Sequence, residues 1–161
     1  MKEEHSNLEQ LKEKYNILKP NYKLPEFSEL NKLFDLEEID VETEFLLKKI
    51  RRVISEKINN YLRFIEIILN PSNTPIFFYK LLKKLEAEDK TKLGEVYEKL
   101  GKIELKNICL DLEYSEENEA KFIKEIYEIF INEMKPKILE VIEKMNSSEE
   151  ITKKVNGSYF G

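Results

Sequence analysis

Between residues 46 and 69 apolar side chains stand at 46, 47, 50, 53, 54, 58, 61, 62, 65, 68 and 69, returning every three or four positions. That period fits the 3.6-residue turn of an α-helix and not the two-residue alternation of a half-buried strand. A helix this long and this oily must be covered on several sides, so it dictates a fold built around it. One line of polar residues runs through it: Arg52, Glu56, Asn59, Arg63, Glu66 and Asn70, in steps of four, three, four, three and four. The alternation is a 3.5-residue period, which places the six nearly in a straight row.

The rest of the chain offers few ways to turn. Only four glycines and five prolines occur in 161 residues, too few for many short strands, and the abundant Glu and Lys favour helix because straight side chains lose little rotamer freedom there. Asp40 has N-cap chemistry, with Glu42 and Glu44 in the turn after it, so the first long helix is expected over about 41–70. Before it, Pro20 and Pro25 predict an extended connector, and Pro25 then opens a short helix carrying Phe27, Leu30, Leu33 and Phe34. Pro71 stops the long helix, and Thr74 with Pro75 starts another. Asp89 is expected to cap a helix that ends at Gly101. Segment 102–114 reads either as a helix face or as a strand alternation, and helix is chosen because no partner strand exists. Ser115 starts the second long helix, about 116–146, which Pro136 should kink.

The expected fold is therefore all-α, a helical bundle of two long helices with shorter ones packed across them. Residues 1–24 form an N-terminal arm and connector, 25–146 the bundle domain, and 147–161 a polar C-terminal tail.

Several chemistries lack their parts. His5 is the sole histidine and Cys109 the sole cysteine, so His-based triads, zinc sites and the helical di-metal carboxylate motif have no complete residue set. No glycine cluster resembles a phosphate loop. Cys109, between Ile108 and Leu110, reads as a small core residue, as do the aromatics Phe77, Phe78 and Tyr79. The reading is of a protein that is not an enzyme, with no cofactor and no metal. Net charge is −5, there is no apolar span of about 18 residues and no signal-peptide run, so a cytoplasmic protein without a membrane partner is expected.

Function is expected to lie in protein–protein contact, as an adaptor, a subunit of a larger assembly or a homo-oligomer. The partner-binding candidates are Arg52, Glu56, Asn59, Arg63 and Glu66 along the polar row, and the aromatic pair Tyr159 and Phe160 near the C-terminus. A nucleic-acid-associated factor is the alternative, with Lys48, Lys49, Arg51, Arg52 and Arg63 as the phosphate-binding set. Glu44, Glu56 and Glu66 stand within helical reach of cations in this set, which weakens the alternative. A third reading puts a small-molecule cavity at Arg63 and Glu66, for a sensor or an enzyme.

Overall fold

The computed structural model describes residues 2–40 and 44–147, and among these every regular element is helical. The helices are α1 (Lys2–Tyr22), α2 (Phe27–Phe34), α3 (Leu46–Leu69), α4 (Ile76–Leu82), α5 (Ala87–Leu112), α6 (Glu116–Ile129) and α7 (Lys135–Asn146). A π-helical segment, Phe130–Met134, joins α6 to α7 without a break. The all-α bundle is as expected, with α3 at its centre against α5 and α6.

The inner face of α3 buries Leu47, Ile50, Ile54, Ile58, Ile65 and Ile68. Opposite it, α5 contributes Leu93, Val96, Leu100, Ile103 and Leu110, and α6 contributes Phe122, Ile123 and Ile126. Burying one such aliphatic side chain is worth about 1.5–3 kcal/mol, so this three-helix seam is the main source of stability. Along its outer edge α5 and the α6–α7 rod run antiparallel, linked by Lys106–Glu125 at 2.6 Å, Lys99–Glu133 at 2.5 Å, Lys92–Glu140 at 3.4 Å and Lys137–Glu95 at 3.5 Å. Each pair is partly exposed and contributes only about 0–1 kcal/mol, but together they mark a single register.

Several boundaries differ from expectation. The first long helix starts at Leu46, not near 41, because the chain first lays Leu36 and Ile39 into the core around the short 3-10 turn Leu36–Glu38. Asp40 therefore precedes this junction and does not cap α3, whose N-cap position is Phe45; residues 41–43, Glu42 among them, lie outside the described residues. At 24 residues α3 spans about 36 Å.

The expected extended connector is mostly helix, since α1 runs through Pro20. Pro20 falls in the last turn, where one missing donor is tolerated, and Lys23 then ends the helix at φ 53° while the Leu24 N–H reaches the Lys19 carbonyl at 3.1 Å. The N-terminal arm is also integral to the fold: Leu11 and Tyr15 are buried, and the Tyr15 hydroxyl donates to the Pro25 carbonyl at 2.7 Å.

Gly101 does not stop α5, whose inner apolar line continues past it, so segment 102–114 is helical as far as Leu112. The start of α5 is a capping box: the Glu86 side chain accepts from the backbone at Asp89, and the Asp89 carboxylate accepts from the Glu86 N–H at 2.9 Å. Asp89 thus serves at the third helical position rather than as the cap itself. Near Pro136 the irregularity takes the form of the π segment, in which the Lys135 N–H donates to the Phe130 carbonyl five residues back.

Asp89 is almost fully buried and is bound by Lys144 of α7, which holds its carboxyl below the ordinary carboxylate range. Asp89→Ala should lower stability by about 1–2 kcal/mol in urea unfolding. Because the folded value lies below the unfolded one, this contribution is complete above about pH 4 and fades as pH falls through the folded value. The variant should accordingly show a flatter acid limb than the parent protein.

Candidate functional site

Arg51 is the residue whose placement departs furthest from the sequence reading. It is fully buried, as is Glu119 of α6, and the Arg51 Nε–H donates to Glu119 Oε2 at 2.6 Å. One terminal nitrogen reaches both the side-chain oxygen of Asn107 and its carbonyl, the latter at 3.4 Å, and the other reaches Asp111 Oδ1 at 2.7 Å. Asn107 and Asp111 lie one turn apart on α5, so a single planar guanidinium binds α3 to both neighbours. Burial works against the Arg51 charge, but hydrogen bonds to Asp111 and Glu119 outweigh it and hold the group above its ordinary value. Burial pushes the Glu119 carboxyl up, with Arg51 opposing, whereas the Arg51 hydrogen bond holds Asp111 low. Two buried oxygens, Ser55 Oγ and Glu119 Oε1, have no hydrogen-bond partner among the described residues.

The Arg51–Glu119 centre of this network is fully buried and ties helices together, while Asp111 at its edge is exposed. Arg51 therefore leaves the nucleic-acid set, since a buried guanidinium cannot reach a phosphate. Its charged neighbours Lys48, Lys49 and Arg52 made it look like part of a surface run. Its spacing pointed inward, since positions 47, 51, 54 and 58 share one helix face.

The polar row faces water. Arg52, Glu56, Arg63, Glu66 and Asn70 are exposed and Asn59 partly so. The intrahelical pairs anticipated for Lys48, Arg52 and Arg63 do not form among the described residues; Arg52 reaches across to Asp111 at 3.2 Å instead. Arg63 and Glu66, where the small-molecule reading placed its cavity, both stand in solvent. Tyr159 and Phe160 lie outside the described residues.

Around the start of α3 a groove of about 330 Å³ is lined by Glu44, Phe45, Lys48, Lys49 and Arg52. Phe45 meets Tyr114 edge-on at 4.9 Å, and the Lys48 ammonium lies 5.9 Å from the Tyr114 ring centre. Arg63 stands more than two turns further along α3.

Apolar side chains that were expected in the core are instead exposed. Phe77 and Tyr79 of α4 are exposed while Phe78 is half-buried, because this short helix covers the body with only part of its surface. Cys109 is exposed too, beside Leu105 and Phe122 in a shallow groove between α5 and α6. On the outer face of α5 Leu105, Ile108 and Leu112 are 64%, 50% and 79% exposed, in line with Gly94, Tyr97 and Gly101.

Removing the cation from the buried network should show what it holds. Arg51→Met is expected to lose about 3–5 kcal/mol, because Glu119 is left charged in the core, while Arg51→Met with Glu119→Leu should recover most of that loss. The Glu119 value is raised on folding, so its carboxyl favours the fold most when protonated and loses that as pH rises through the folded value. The deficit of Arg51→Met relative to the parent protein should therefore shrink as pH falls towards about 4. Urea titrations of the three proteins at several pH values measure both effects.

No protein-family model, curated protein or solved structure matches the chain.

Proposed function

We propose that the protein is a non-enzymatic helical adaptor or subunit that acts by protein–protein contact, and that the outer face of α5 takes a second copy of the chain. The observation that carries this reading is the line Gly94, Tyr97, Gly101, Leu105, Ile108, Leu112, exposed in the monomer at every position but the half-buried Gly94. A glycine inside a helix is less favourable than alanine by about 1 kcal/mol. Neither glycine is required by the monomer: neither has positive φ, and a Cβ built on either would meet nothing within 4 Å. A helix arriving from outside supplies the missing reason, because glycine lets another backbone approach closely.

The line is self-complementary when two copies of α5 lie antiparallel. Gly94 then faces Leu112 of the second copy, Gly101 faces Leu105, and Tyr97 lies beside Ile108. Each contact occurs twice, as a two-fold interface demands; Leu105 and Leu112 meet glycines, and Tyr97 packs against Ile108. Solvent-exposed aliphatic side chains in such number on one helix are also what an interface core uses.

Light scattering should give twice the monomer mass for the parent protein and the monomer mass for Leu105→Glu with Leu112→Glu. In a Cys109→Ser background, Gly94→Cys with Leu112→Cys should form an intermolecular disulfide, since the two positions are about 27 Å apart on one helix and cannot pair within it. Gly101→Ile should weaken association while leaving the monomer folded. A strict monomer at high concentration would remove the homodimer from this reading.

A second reading, a nucleic-acid-associated factor, draws on one feature: Lys48, Lys49 and Arg52 beside the exposed aromatics Phe45 and Tyr114. Glu44 lines the same groove, Asp111 engages Arg52, and the net charge is −5. The expected result is no retardation of labelled single-stranded DNA or RNA even at about 50 mM salt. Retardation that disappears in Lys48→Glu with Lys49→Glu would favour this second reading.

A further inference from the structure

We propose a second docking site, a groove between α2, α3 and α7 that receives an acidic amphipathic helix of a partner protein. The proposal rests on the protein–protein reading and supplies an adaptor with the other of its two faces. The groove holds about 460 Å³. Its floor is apolar: Leu33, Tyr61, Phe130, Ile138, Leu139 and Ile142. Its polar lining is Lys32, Lys57 and Lys135, with no carboxylate among the lining residues. In a chain with 32 acidic residues against 27 basic ones, such a rim is a local reversal of charge.

Two of the three cations are available. Lys57 is engaged by Asp35, but Lys32 and Lys135 have no ion-pair partner among the described residues and both are exposed. They stand on different helices that border the groove, Lys32 on α2 and Lys135 at the start of α7. Carboxylates on the polar face of a helix seated in the groove would meet the lysines without displacing any existing pair.

The floor is already formed. Phe130 is buried and meets Phe34 at 5.2 Å and Tyr61 at 5.6 Å, so its ring is fixed between α2 and α3. Leu139 and Ile142, by contrast, are 48% and 36% exposed and present uncovered aliphatic surface. From Lys135 to Ile142 the groove runs along α7 for about two turns. That length suits bulky residues at positions i and i+4 of a docked helix, the usual anchors when a helix lies in an apolar groove. The π segment contributes Phe130 to that floor, and such segments are frequent at functional positions of helices.

The test uses a fluorescently labelled amphipathic peptide of leucine and glutamate, with a leucine and lysine peptide of the same pattern as control. Anisotropy should rise for the acidic peptide and not for the basic one, and added salt should weaken the signal. Lys32→Glu with Lys135→Glu should reduce the affinity by about tenfold or more, given two reversed charge pairs at a partly covered site. Leu105→Glu with Leu112→Glu, on the outer face of α5, should leave it unchanged. In methyl NMR spectra the acidic peptide should shift Leu139 and Ile142. Equal binding of both peptides, or shifts confined to α5, would overturn the proposal. So would dodecanoate occupying the groove while the acidic peptide fails to bind, which would make it a site for a small amphiphile. Failure here together with the α5 disulfide forming would defeat this site alone and leave the protein–protein reading in place.

Discussion

The guanidinium of Arg51 sits where α3, α5 and α6 meet, and the arrangement of the bundle depends on it. Its three nitrogens are all committed, to Glu119 on one side and to Asn107 and Asp111 on the other. Aliphatic packing alone tolerates sliding, because one apolar ridge resembles the next. A planar donor with fixed directions does not, since moving α3 by one turn, about 5.4 Å, would part every one of these contacts. Buried ion pairs of this kind add little net stability over a well-packed apolar core, and their contribution is the specification of one arrangement. The ion pairs between α5 and the α6–α7 rod repeat the same register at the surface, so inner and outer contacts agree.

Around that clamp the molecule divides its surface unevenly. The outward row of α3 is polar and solvated. The outer line of α5 and the groove beside α7 are apolar, and they lie on different helices. Exposed aliphatic side chains are ordinary when scattered. Here they fall at helical spacing, in one case with two glycines the monomer does not require and in the other with a rim of one charge.

Much of the fold was legible from residue spacing. The three-and-four periodicity over 46–69 and 116–146 located the seam-forming faces, and Ser115 marked a helix start because its hydroxyl accepts from the Asn118 N–H. The local punctuation misled where tertiary contacts override it. Pro20 was tolerated in a final turn, and Gly101 lay within a helix whose buried line was already long enough to carry it through. Arg51 was hidden by its charged neighbours, since the composition of a short window says nothing of which face each residue occupies. The uncovered positions Leu105, Ile108 and Leu112 were equally concealed: a buried leucine and an exposed one look alike in sequence, and only the neighbouring helices decide between them.

The π segment between α6 and α7 has a consequence for how this protein can change over time. It accommodates one residue more than a regular helix would over the same turn, and each residue rotates the downstream helix by about 100°. Because the wide turn absorbs that extra residue, Ile138, Val141 and Met145 still face the body. In an unbroken α-helix of the same sequence those three side chains would point about 100° away from their partners, whereas loss of one exposed residue such as Asn132 would give a regular helix that still presents them to the body. A one-residue deletion at an exposed position here should therefore be absorbed by a straightening of the helix, whereas an insertion would need a second wide turn to keep α6 and α7 on one face.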